Sequence, residues 1–558
     1  MTTVGSHNNG DVVAMNGPCT APIAMDQAPT TTSQEIISDD ATRAIDGHEE
    51  DPPHTPIIVV EKDEDAPPLP WWYPRIRGKP LFYGNQEALG WACTVVANSG
   101  ISLGIGIFVV PAALELAKKE AGCATEVPEG MDEIPECYGE VYGVKPTSFF
   151  TVISTIVGLA AAFVIPLAGA LVDYTPHRRL LGRIFSFAFT ILILAPAFLN
   201  EQTWFVVSIV IMVNLVISMA QGMLFNAYLP ELTDNEDRLN EFSRTFTILS
   251  FSSIVLFLGI VMGIGAGLGI TGDSVAVARL SAIVAFCFSS VLFYASWGLL
   301  FQERPAAHEL PQGQWLLSAG FRQVYRTTIK IQKHYHGLKW FFLSLCVGDA
   351  AVQSLTLLAI TYVSDQLEFN STEVVLASAL VIISTIPGAL VGAVFNRWVN
   401  PIRSSALSVL GFFILTPLWA LVASGPGDQN VTYFWCFLFG FFTGWKYTGD
   451  RVLVSAILPE GQDAELMGMY SFCGYVFSWA PTLLFTVINE AGESQRLGLV
   501  SLDIFFGAAL IAYCMMGDYS VAVRIADRLK IDTCTVNQEE DEEPEEGEEG
   551  ASTADDNV

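Results

Sequence analysis

Apolar residues in this chain gather into long runs separated by short polar stretches. The runs lie near 89–113, 148–172, 183–199, 203–228, 245–270, 277–301, 340–363, 373–395, 403–423, 432–457, 466–488 and 497–517. A helix of about 20 mostly apolar residues crosses the hydrocarbon core of a bilayer. The runs have that order of length and are too long for barrel strands, and backbone groups in lipid must be paired internally. The pattern therefore predicts an all-α polytopic membrane protein of twelve transmembrane helices.

The polar stretches set the expected orientation. Seventeen Lys and Arg flank the spans on one face, against Lys118, Lys119, Lys145 and Arg496 on the other. Cytosolic loops carry the excess of basic residues, so both termini are expected in the cytosol. The two glycosylation motifs, beginning at Asn370 and Asn430, fall in short loops assigned to the opposite face.

Two sequence markers recur half a chain apart. Leu229-Pro230-Glu231 closes the fourth run and Leu458-Pro459-Glu460 the tenth, where Pro cannot continue a helix. "PLAGALVD" ends the second run and "PGALVGAVFN" the eighth, each followed by arginine. The offsets are 229 from Glu231 to Glu460 and 223 from Gly169 to Gly392, which favours an internal duplication. Two six-helix repeats with cytosolic termini describe the major facilitator architecture, with substrate bound near the midplane between the halves. The expected layout is a tail over 1–85, a six-helix bundle over 86–301, a basic cytosolic linker over 302–338, a second bundle over 339–520 and a tail over 521–558.

Composition agrees with a membrane protein: 51% of the 558 residues are hydrophobic and 15% are charged, and the mean hydropathy is +0.42. The net charge of −30 is mostly terminal, since Met1–Pro70 holds 13 acidic and 2 basic residues and Asp532–Val558 holds 12 acidic and no basic ones. Such tails cannot bury enough apolar surface to order themselves and are expected to stay solvated; a partner or sorting role is the alternative. No basic stretch followed by an apolar core marks a cleavable signal. The ten cysteines form no cluster at metal spacing, so no metal or other cofactor is expected; Cys123 and Cys137 share one polar loop, where a disulfide can form. No phosphate-cradling motif points to ATP, and no basic patch interleaved with aromatics points to nucleic acid. A lipid-embedded, monomeric secondary carrier of a small molecule is the class that remains; no nucleophile and base pair suggests an enzyme.

Several stretches resemble the vacuole effluxer family of the major facilitator superfamily, the autophagy-related permeases. They are "EALGWACTVVANSGISLGIGIFVVP" from Glu87, "NAYLPEL" from Asn226, "ASWGLLFQERP" from Ala295, "AGFRQVYRT" from Ala319, "LCVGDAAVQSL" from Leu345, and the long block from Asp450 to Phe506. The resemblance covers roughly residues 85 to 520. It implies export of amino acids from the vacuole to the cytosol during autophagy. The chain departs from the family pattern at three places. Val95 stands where an acid is expected, Ala350 follows Asp349 where glycine is usual, and Lys446 and Asp450 replace polar uncharged residues ahead of the matching Arg451.

Ionisable groups deep in a span are costly and face a cavity or a partner. Asp349 is therefore a candidate proton or substrate-amine site, or else a paired carboxylate bracing helices. Its own helix has no other charge within a turn, so a cation is expected from Lys446 or Arg451. Lys446 and Asp450 share a helical face at i, i+4: they form an intrahelical pair, or Asp450 receives a substrate ammonium while Lys446 or Arg451 receives a carboxylate. Asn98 suits a zwitterion or a neighbouring helix equally. Asp173 with Arg178 and Arg179 resembles the cytosolic gating motif of major facilitators, or is a plain helix end under the positive-inside rule. Proton coupling is left open, as are transport of a sugar or peptide at another membrane and a transport-dead receptor or scaffold.

Overall fold

A computed structural model of the protein describes residues 73–76, 79–123, 139–229, 232–233, 236–303, 315–423, 425–457, 463–492 and 494–524. Of the two expected tails, residues 1–72 and 525–558 lie outside them, whereas the segment just before α1 carries regular structure. Apart from a hairpin of β1 (Arg75–Ile76) and β2 (Lys79–Pro80), regular structure among the described residues is helical. The hairpin is anchored by Tyr73, whose hydroxyl donates to the Leu81 and Asn85 carbonyls at 2.7 and 3.0 Å; burial pushes its pKa up to about 12.

The first run forms α1 (Gln86–Val95), a π-helical turn at Val96–Gly100 and α2 (Ile101–Glu120). The second to sixth runs form α3 (Pro146–Tyr174), α4 (Arg178–Leu192), α5 (Trp204–Asn226), α6 (Glu236–Leu268) and α7 (Ser274–Phe293). Pro146 occupies the first turn of α3, where its missing N–H is harmless. Asp273 caps α7 by accepting from the Ala276 N–H.

A further helix, α8 (Leu316–His334), occupies the basic linker. It leads into α9 (His336–Asp365), α10 (Ser371–Trp398), α11 (Pro401–Val422) and α12 (Gln429–Ile457). Asn370 and Glu373 form a capping box that starts α10. The eleventh run is split into α13 (Asp463–Val476) and α14 (Trp479–Glu490), and the twelfth into α15 (Gln495–Val500) and α16 (Asp503–Met515).

Among the described residues, ten helices are long and apolar enough to cross a membrane. They cover the expected runs except the first and the tenth. The first is interrupted by its π-helical turn. The tenth, α12, is one continuous 29-residue helix that carries Lys446, Asp450 and Arg451 in its interior.

Without a hydrophobic force between helices in lipid, close backbone approach decides packing. Here α10 and α12 pack through Gly388 and Gly392 on one side and Gly440 and Gly444 on the other, each pair four residues apart. A Cβ at Gly440 would lie 2.0 Å from the Val381 carbonyl oxygen, and one at Gly444 2.0 Å from that of Thr385, so a side chain at either position would force the helices apart. The "PGALVG" stretch is thus a packing surface. Its Gly392 sits against Trp445, whereas Gly169 in the matched "PLAGALVD" has no atom within 4 Å of a Cβ; the two glycines serve different surroundings.

Candidate functional site

Three charged side chains meet between α9 and α12. Asp349 stands near the middle of the 30-residue α9, and Lys446 and Asp450 lie one turn apart on α12. All three are buried. The Lys446 ammonium donates to Asp450 Oδ2 at 2.7 Å and also contacts Asp349 Oδ1. The intrahelical pair and the cross-helix pair therefore coexist on one cation. A fourth group comes from α16, where the Tyr513 hydroxyl donates to Asp450 Oδ1 at 2.7 Å. The Tyr447 ring lies 5.5 Å from the ammonium, within cation–π reach.

Helix α13 closes the other side. Its Gly474 brings backbone close enough that a Cβ there would lie 3.6 Å from Asp349 Oδ2, and Gln353 of α9 donates to the Gly474 carbonyl at 2.9 Å. Four helices thus hold two carboxylates against one ammonium, a formal charge of −1 when all three ionise. A proton or a cationic group brought to this cluster would neutralise it. Arg451 is exposed.

Asn98 sits on the π-helical turn, a device common at functional positions. Its side chain is bonded to α5: the Ser218 hydroxyl donates to Asn98 Oδ1 at 2.6 Å, and Asn98 Nδ2 donates to the Ser218 carbonyl at 3.3 Å.

Near the start of α4, Arg178 is buried and donates to the Val172 carbonyl at 2.7 Å. Arg179 donates to the Gly298 carbonyl at 2.7 Å and Arg183 to that of Trp297 at 3.0 Å, so both cap the turn that ends the sixth run. The Asp173 side chain lies outside the described residues, as do Pro230, Glu231, Pro459, Glu460 and Cys137. Cys123 is disulfide-bonded. Asn370 and Asn430 are both exposed.

A polar seam that the sequence reading missed joins α3 to α14. Thr151 and Thr486 hydroxyls lie 2.6 Å apart, and those of Thr155 and Thr482 3.0 Å apart. Asn489 Nδ2 donates to Thr147 Oγ1 and Ser148 Oγ at 2.9 and 2.7 Å. Beyond it Lys145 donates through its backbone to Glu490 Oε1 at 2.9 Å and through Nζ to the Asn489 carbonyl at 2.7 Å. At the same end of the bundle, Lys118 pairs with Asp365, which also accepts from Gln495 Nε2 at 2.5 Å. This end is therefore closed by contacts between the early helices and the late ones. The signal was present in the sequence: hydroxyl residues recur every four positions, at 147, 151 and 155 and at 478, 482 and 486, in otherwise apolar helices.

The family model described as vacuole effluxer Atg22 like matches residues 84–520. The chain belongs to that family. The match covers the described helical body from the first span to the last. No curated protein matches the chain.

Among solved structures, a mutant form of the nucleoside transporter NupG is 14% identical, with 78% of this chain and 100% of that chain covered at a TM-score of 0.53. The human organic anion transporter MFSD10 (TETRAN) is 12% identical, with 77% and 99% covered at a TM-score of 0.52. These likenesses show the major facilitator fold. The chain is thus a multi-pass membrane protein with the fold and family of transporters.

Proposed function

We propose that this protein is a proton-coupled secondary transporter that moves amino acids from the vacuole, or a lysosome-like compartment, into the cytosol by alternating access. The observation that carries the reading is the buried cluster of Asp349, Lys446 and Asp450. Charges at such depth are expensive and mark ion or substrate pathways. Two carboxylates sharing one ammonium leave room for one further positive charge, and a proton and a substrate ammonium would compete for it. When an amino acid enters, its ammonium can replace Lys446 at one carboxylate, and Lys446 is then released towards the substrate carboxylate. Asn98 and Arg451 complete the pathway in this reading, and the two bundles, 86–301 and 339–520, move against each other. Asp173, Arg178 and Arg179 act at the cytosolic end, and the α3–α14 seam closes the lumenal end. Both termini lie in the cytosol.

A second reading keeps the cluster as a permanent brace between α9 and α12, favoured by the intrahelical Lys446–Asp450 pair at 2.7 Å. Uptake of labelled amino acids into proteoliposomes, with and without a pH gradient, separates the two for the wild type and Asp349→Asn. The transport reading expects gradient-dependent uptake that the variant loses; a folded variant with unchanged rate and pH dependence selects the brace.

A further inference from the structure

Helix α8 lies in the linker and takes no part in the proposed transport site. One face is seated on the protein: Ala319, Thr327 and Ile331 are buried. A Cβ at Gly320 would lie 2.1 Å from the Pro166 carbonyl oxygen of α3, so α8 rests directly on that helix. Pro166 stands 20 residues into α3, about 30 Å along its axis at 1.5 Å per residue. The apolar span of α3 ends six residues further on, at Val172, so α8 packs within about two turns of the point where α3 leaves the membrane.

The outward side of α8 is divided in two. On one part Phe321 and Tyr325, about 40° apart around the axis, are 41% and 66% exposed, and Trp315, which precedes the helix on the side of the basic residues, is 80% exposed. The Phe321 ring packs 6.3 Å from that of Phe163, itself 61% exposed on the apolar outer surface of α3. The aromatic strip of α8 thus continues a surface that faces lipid. Beside it, Arg322, Arg326 and Lys333 fall within about 40° of one another around the axis, all exposed. They have no carboxylate partner among the described residues, and α8 contains no Asp or Glu.

We propose that the outer face of α8 binds anionic phospholipid headgroups of the adjoining leaflet, lying in the interface with its aromatics among the upper acyl chains. Aromatic and basic strips side by side are what an interfacial helix requires. The other source of negative charge in this chain is its own tail, "QEEDEEPEEGEEG" from Gln538. That segment has no apolar side chain other than Pro to cover Trp315, Phe321 and Tyr325, and the continuity with α3 favours lipid.

The test is hydrogen exchange of the α8 backbone in the full-length protein, held in nanodiscs of phosphatidylcholine alone or with added phosphatidylserine. Each basic residue near an anionic surface contributes about fivefold in binding. The expected result is exchange more than about tenfold slower in the phosphatidylserine discs, with the difference lost at high salt and in Arg322→Gln/Arg326→Gln/Lys333→Gln. Unchanged exchange in α9 reports that the variant is folded. Equal exchange in both discs, a difference that survives salt, or one retained by the folded variant would overturn the proposal. Protection in phosphatidylcholine discs that disappears when the chain ends at Ile531 would overturn it in favour of the acidic tail.

Discussion

Lys446 is the only cation bonded to two buried carboxylates among the described residues, and its removal would leave Asp349 and Asp450 facing each other. Breaking a buried ion pair from one side costs about 3–5 kcal/mol because the remaining charge is uncompensated. Lys446→Met should therefore lower stability by roughly that amount, measured as loss of folded protein on heating in detergent. Tyr513→Phe removes one hydrogen bond to a charged group and should cost about 1.5–3 kcal/mol in the same assay. Asp349→Asn should cost less than Lys446→Met, since Asp450 still balances the ammonium. At this scale the sequence was partly legible. The depth of Asp349 and the i, i+4 spacing of Lys446 and Asp450 are visible in one dimension, and the lack of another charge within a turn of Asp349 pointed to a cation from the tenth run, Lys446 or Arg451, of which the structure brings Lys446. Tyr513 was not legible, because a tyrosine in an apolar run gives no sign of which helix its hydroxyl meets.

Among the elements, α3 and α14 form the seam on which a conformational change would depend. Its hydrogen bonds join neutral hydroxyl and amide groups, and such bonds between membrane helices contribute about 0.6 kcal/mol each. Replacing Thr151 and Thr486 by Val should remove one cross-helix bond and raise the open fraction of this end by roughly threefold, without loss of fold. The check is the labelling rate of a cysteine introduced at Ser148. An unchanged rate would show that the seam does not hold this end closed. Helix positions were well read from the apolar runs, because length and hydropathy decide them. The seam and α8 were not. A four-residue hydroxyl spacing is weak against an apolar background, and α8 is too polar to register as a span yet amphipathic enough to pack.

For the whole molecule, the family and the fold class were visible in sequence, since the apolar runs and the stretches around Asp349 and Asp450 survive as contiguous text. Packing equivalence was not: Gly169 and Gly392 carry the same local motif in different surroundings. The solute is also unreadable from sequence, because Lys446 and Asp450 of the charged cluster occupy positions where the family pattern is uncharged. Orientation has its own prediction. In sealed vacuoles, an external protease should remove the tail beyond Lys530 and spare the loop at 118–147; the reverse would overturn the cytosolic placement of the termini.

The most direct measurement is amino-acid uptake into proteoliposomes holding the purified protein, compared between the wild type and Asp349→Asn with and without an imposed pH gradient. Transport through the buried cluster predicts uptake by the wild type that rises with the gradient, and a folded Asp349→Asn protein whose residual uptake no longer responds to it. Equal rates and equal pH dependence in the two proteins would contradict the account and leave the cluster as a brace between α9 and α12.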